Sequence, residues 1–140
     1  MDAKSNVRSV AERGVHRMTA LQIASWVVRI AGAAVLVLGL VIWTGNGTGV
    51  RGLHMLLGIT LVIALWLLAL LAARAGVSIG LVVLAGLWGL ITIGLGLTQE
   101  RLLVGDQHWI VQVTHLVVGL GAIGIGEAIA ARAGRRPAPA

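Results

Sequence analysis

Residues 53–76 read LHMLLGITLVIALWLLALLAARAG, and this stretch decides the fold. Between Leu53 and Ala73 it carries no acidic or basic residue other than His54. A helix of about 20 apolar residues crosses the roughly 30 Å hydrocarbon core of a bilayer. The run ends at Arg74-Ala75-Gly76, and a second apolar run starts at once with Val77. A connection that short makes the two flanking helices antiparallel neighbours. Further runs of the same kind lie on either side, so the predicted spans are 23–43, 53–73, 77–97 and 109–131.

Composition agrees with this reading. The chain has 140 residues, 58% of them hydrophobic and only 11% charged, and its mean hydropathy is +0.96, outside the range of ordinary soluble domains. The meaning of its net charge of +6 depends on where the basic residues lie, most of them in the tails and one short turn. Lys4, Arg8, Arg13, Arg17, Arg74, Arg132, Arg135 and Arg136 fall on one side of the predicted spans, and Arg51 and Arg101 on the other. The positive-inside rule therefore predicts cytoplasmic N- and C-termini and a multi-pass protein of the cell inner (cytoplasmic) membrane. Trp43 and Trp109 then mark the outer interface and Trp26 the inner one. The basic N-terminus followed by a full-length apolar run reads as a retained span, not a cleaved signal peptide.

The expected architecture is all-α, an integral membrane four-helix up-down bundle. Residues 1–22 are expected to form a basic amphipathic N-terminal segment, residues 23–134 the bundle and residues 135–140 a disordered tail. Two His-x-x-x-Gly motifs, His54 to Gly58 and His115 to Gly119, each run on to Ala-Ala-Arg-Ala-Gly, at 72–76 and 130–134. The spacing between motif and tail differs by three residues in the two halves, a pattern that reads as two repeated helical hairpins.

The paired histidines are the candidate site. An ionisable, metal-ligating side chain within a membrane segment is costly and marks function by default. His54 and His115 sit at similar depth on the second and fourth helices, which are diagonal in an up-down bundle and about 11–14 Å apart by simple packing geometry. That gap is expected to suit two imidazoles on either side of a planar macrocycle, and to be too wide for the rings to bond each other. The chain has no cysteine, hence no thiolate metal site and no c-type haem attachment. Zinc calls for three or four clustered ligands, whereas haem iron needs two axial ones. Haem b is therefore the expected cofactor, with His54 and His115 as its metal ligands.

Neighbouring residues extend the site. His108, Gln112, His115, Gly119, Ala122 and Gly126 form a polar and small stripe on the fourth helix. Gly58 and Gly119, one turn beyond each histidine, give a macrocycle clearance, although small residues also serve close helix packing in lipid. Arg51, three residues before His54, is placed to meet haem propionates, with Arg101, Gln112 or His108 as helpers. The alternative for Arg51 is an interfacial arginine without a ligand. Glu127 and Arg29 lie at similar depth on adjacent helices and are expected to form an intramembrane ion pair.

With Arg51-Gly-Leu-His54-Met-Leu-Leu-Gly58 and Val113-Thr-His115-Leu-Val-Val-Gly119 in place, the chain resembles four-helix membrane cytochrome b-type haem proteins. It is similar to one half of haem A synthase, in which paired histidines on the second and fourth helices hold haem b. The resemblance implies axial ligation by His54 and His115. It departs from the synthase at Met55 and Leu116, where an arginine often follows the ligand, and in lacking the acidic residue before the first histidine and the cysteine-bearing outer loop. What carries over is haem binding, not the synthase's catalysis.

Bis-histidine ligation leaves no open position on iron, so electron transfer or haem handling near the outer face is expected more than catalysis by this chain alone. Candidate partners are the lipid bilayer, a quinone or redox partner subunit, and further copies in a homo-oligomer, with no nucleic acid. The competing readings are a cofactor-free accessory subunit or small transporter, and a (bacterio)chlorophyll-binding protein with one pigment on each histidine.

Overall fold

The computed structural model describes residues 19–47 and 49–135. Four long helices carry the chain: α1 (Ala20–Val41), α2 (Arg51–Arg74), α3 (Ile79–Thr98) and α4 (His108–Gly134). At 1.5 Å per residue they are about 30–40 Å long, and all four are long and apolar enough to cross a membrane. Their outward surfaces carry Leu56, Leu67, Leu70, Leu87, Leu90 and Val117, each at least half exposed. A surface so rich in large apolar side chains suits lipid, because water would penalise contiguous patches of this size. The expected amphipathic segment lies outside the described residues except at its end. There α1 begins three residues earlier than the predicted span. The expected C-terminal tail likewise lies outside them beyond Arg135.

Local chemistry sets the helix ends. Thr19 and Gln22 form a reciprocal capping box: the Gln22 amide N–H donates to Thr19 Oγ1 at 3.3 Å, and the Thr19 N–H donates to Gln22 Oε1 at 2.8 Å. At the other end of the first hairpin, Val77 N–H donates to the Ala72 carbonyl and Gly76 N–H to the Ala73 carbonyl, both at 2.9 Å. That is a Schellman turn, and it needs a left-handed residue, which Gly76 supplies with φ 81°. Val77 is then delivered into the core, which is why the connection can be so short. A wider-wound turn at Ile42–Asn46, broken by Gly45 at φ 83°, ends α1. A 3-10 turn at Gln99–Arg101 ends α3.

The helices pack in chain order around a ring, α1 also meets α4, and α2 and α4 pack directly across the diagonal. The diagonal expected from an even square, with axes about 11–14 Å apart, is therefore replaced by a short one. The physical reason is side-chain size. Gly126 of α4 presents no side chain to Leu65 of α2, whose Cδ1 lies 3.6 Å from where a Cβ would stand, and the small Ala122 belongs to the same core cluster, so the backbones approach. The buried residues concentrate at one end of the bundle, where Val28, Leu65, Leu68 and Ile129 meet. We call this the arginine end, after Arg74 and Arg132. The opposite, histidine end is more open.

Arg29 and Glu127 form the expected pair between α1 and α4. Arg29 Nε donates to Glu127 Oε1 at 2.7 Å and Nη2 to Oε2 at 2.9 Å, and the guanidinium lies 5.3 Å from the Trp26 ring centroid. Both side chains are partly exposed on a face rich in large apolar side chains, and removing either partner would leave the other's charge there unpaired. Arg29→Ala and Glu127→Ala are therefore each expected to lower the Tm in detergent. The exchange Arg29→Glu with Glu127→Arg should recover most of the loss, and thermal melts of the three variants check this. Additive loss in the exchanged protein would show that the two charges act independently.

Candidate functional site

His54 lies in the first turn of α2, and His115 lies two turns into α4. Both point inward at the histidine end, where their ring centroids are 6.2 Å apart with an interplanar angle of 55°. The short diagonal brings them closer than an even square would. Among the described residues, the Nδ1 atoms of these two rings are the only buried side-chain nitrogen or oxygen atoms without a hydrogen-bond partner. An unpaired buried polar atom costs about 1–3 kcal/mol. Two such atoms, on neighbouring rings, call for an explanation beyond packing.

Each ring rests on a glycine of the preceding helix. A Cβ at Gly39 of α1 would lie 3.3 Å from His54 Cε1, and a Cβ at Gly96 of α3 would lie 3.4 Å from His115 Cε1. The two hairpins thus repeat one contact, helix-glycine against next-helix histidine. This is stronger evidence of a repeat than the sequence motifs alone.

Two cavities adjoin the rings. One, of about 170 Å³, lies mainly between α1 and α4, lined by Gly39, His108, Gln112 and Leu116 among others. The other, of about 250 Å³, lies mainly between α2 and α3, lined by Gly58, Thr92, Gly96 and neighbouring aliphatic residues. His54, His115, Gly119 and Arg51 line both. A Cβ built at Gly58 or Gly119 meets nothing within 4 Å, so these glycines border open space. Other glycines in the bundle do the opposite. Positions 32, 121 and 126 are filled against by Ile123, Trp88 and Val28 at 2.6–2.8 Å, and Gly89 by Trp66. Packing in lipid explains that second group and not the first.

The structure brings all six residues expected at the site, His54, His115, Gly58, Gly119, Arg51 and Gln112, to these two cavities. Arg51 has a partner that the sequence reading did not give it. It forms an ion pair with Glu100 of the turn after α3, and both residues line both cavities. His108 lines the first cavity, and its Nδ1 lies 3.1 Å from the Leu102 carbonyl. Gly39 and Gly96 stand out in the sequence only among the glycines of the first and third helices, with Gly32, Gly86, Gly89 and Gly94, and Gln99 and Glu100 carry no site role there. The one available signal was that Glu100 is one of two acidic residues, with Asp106, in the connection at Arg51's end of the bundle.

The donor set narrows what the site can hold. Among the described residues no group of three or more His, Cys, Asp or Glu side chains is arranged to take a metal ion. Two facing imidazoles remain. A metal–nitrogen bond is about 2.0–2.1 Å and a ring nitrogen lies about 1.1 Å from its centroid, so imidazoles on opposite sides of one metal have centroids about 6.3 Å apart. The observed 6.2 Å matches that value. What the structure offers a ligand is this pair of rings, with His54 and His115 lining both cavities. Comparison of the chain with known protein families, with curated proteins and with solved structures gives no match.

Proposed function

We propose that this chain is a membrane haem b protein with His54 and His115 as axial ligands. The observation that carries the reading is the 6.2 Å separation of the two partly buried rings, close to the span of about 6.3 Å for two imidazoles sharing one metal ion. The open space beside Gly58 and Gly119 supports it further. Haem b, when bound, supplies a reversible one-electron iron couple.

The chain's own residues do the rest. His54 and His115 would hold the iron between them, which would leave no open position for dioxygen and favour electron transfer or haem handling. Aliphatic side chains around the cavities exclude water. Arg51, with Gln112 nearby, offers the donors for propionates, and Glu100 balances the Arg51 charge. In the orientation given by the basic residues, both termini are cytoplasmic and the site lies near the outer face of the cytoplasmic membrane. A quinone or a redox partner subunit completes electron transfer across the bilayer, and a homo-oligomer is one setting for it.

One shared macrocycle is favoured over one pigment on each histidine, because the space between the rings accommodates a single metal plane. The test is the absorption spectrum of the protein purified from cells supplied with haem precursor. The expected result is a Soret band that shifts on dithionite reduction, with sharp α and β bands. A colourless, fully helical preparation that also takes up no added haemin overturns the reading. A red or near-infrared band transfers the site to a chlorophyll-type pigment.

A further inference from the structure

Arg29 and Glu127 depart from the charge pattern of this bundle. Among the described residues, every other arginine or acidic residue lies in a connection or within a turn of a helix end. Arg29 stands nine residues after Ala20, and Glu127 seven residues before Gly134. At 1.5 Å per residue both sit about 10–14 Å in from the arginine end, inside the roughly 30 Å hydrocarbon core of a bilayer crossed by these helices. The bundle does not enclose the pair, for the two side chains are 41% and 44% exposed. An exposed ion pair is cheap in water and costly in lipid.

The pair also leaves bonding capacity unused. Arg29 donates to Glu127 from Nε and Nη2. A guanidinium carries five N–H donors and a carboxylate about four lone-pair sites. Among the described residues neither group makes a further hydrogen bond. Spare donors and spare acceptors therefore stand side by side at one depth, where a bilayer offers no water to satisfy them.

Such a patch is its own complement. Two copies inserted in the same sense are related by a two-fold only if its axis runs along the membrane normal, and that rotation leaves depth unchanged. With the axis through the α1–α4 face, α1 of one copy lies against α4 of the other, and Arg29 meets the partner's Glu127. The packing permits this approach. α1 and α4 run in opposite directions, with Val28 near Gly126 and Ile123 near Gly32. One turn from the pair towards the histidine end, α1 therefore presents Ala33 beside Gly124 of α4, both exposed, and a Cβ at Gly124 meets nothing within 4 Å. The same rotation sets Ala33 against the partner's Gly124, small against small, so the backbones can close in until the charges meet. We propose that the α1–α4 face is a homodimer interface, closed by a four-charge cluster of two Arg29 and two Glu127 side chains. The proposal rests on the membrane reading and not on the haem reading.

The chain has no cysteine, so introduced cysteines report contacts between copies cleanly. Two differently tagged forms of the full chain, one carrying Ala33→Cys and the other Gly124→Cys, are reconstituted together without haem in phosphatidylcholine vesicles and oxidised. The expected result is a disulfide joining the two tags. Leu87→Cys, exposed on α3, should give none when it replaces Gly124→Cys. Energy transfer between labelled copies diluted in the same vesicles reads the affinity. Arg29→Leu with Glu127→Leu strands no charge and should weaken association about tenfold, the scale of one or two polar contacts between helices in a membrane. Gly124→Leu fills the hollow without touching the pair and should separate the copies with the helices intact. Copies that stay monomeric overturn the proposal, as does a dimer that neither substitution weakens. A monomer that retains added anionic phospholipid in mass spectrometry, and loses it with the double substitution, gives the pair to lipid headgroups and also overturns it. Because the dimer is measured without haem, its failure leaves the haem reading standing, and a colourless dimer leaves the interface standing.

Discussion

His54→Ala and His115→Ala are each expected to abolish stoichiometric low-spin haem b while leaving the four helices folded. Both rings are partly buried at the open end of the bundle, away from the Leu65–Ile129 core. Removing one therefore takes away a ligand without removing a packing element, and it also removes a buried unpaired nitrogen. Iron held by the single remaining histidine is five-coordinate and high-spin, and haem retention should fall well beyond the 10–100-fold typical of losing an outer partner. Free imidazole added to either variant should enter the vacated space and restore the low-spin spectrum. His115→Met should instead retain six-coordinate iron at a raised midpoint potential, because a thioether favours the reduced ion. Unchanged low-spin spectra in both alanine variants would mean that other side chains hold the iron.

The second large effect is expected at Gly119. It borders both cavities one turn beyond His115, and a Cβ there meets nothing within 4 Å. Gly119→Leu should exclude the macrocycle. Its thermal stability should hold or rise, since replacing glycine inside a helix gains up to about 1 kcal/mol of propensity. Gly126→Leu is the counterpart on the same helix. Its Cβ would meet Val28 Cγ1 at 2.8 Å, in the closed half of the bundle. Overpacking of that kind costs about 1–3 kcal/mol, so this variant should melt earlier. Haem content and Tm measured on both variants separate the two roles. If Gly119→Leu also lowered the Tm and kept its haem, the space beside Gly119 would be packing slack and not a site.

Much of this fold was legible because hydrophobicity is local. The four runs, the turn at Arg74–Gly76 and the antiparallel order follow from run length and from where charge interrupts it. The Arg29–Glu127 pair was legible as well, since two charges at equal depth in adjacent apolar helices have few other ways to lower their cost. Arg51 was harder. Its partner, Glu100, lies 49 residues away in a connection whose conformation depends on how α3 ends. The glycines were the least legible. Gly119 and Gly126 are alike in sequence, each on the same stripe of α4, and only their neighbours on other helices make one a clearance and the other a contact.

The sequence by itself determined four helices suited to a membrane, their order, and the placing of two histidines at one end. These depend on run length, charge position and helical periodicity, which are properties of single segments. Only the tertiary structure decided that α2 and α4 touch across the diagonal, that the rings stand 6.2 Å apart, and that each rests on a glycine of the helix before it. Those are distances between segments. They are set by which small residues meet which large ones, and no single run of the chain contains that information.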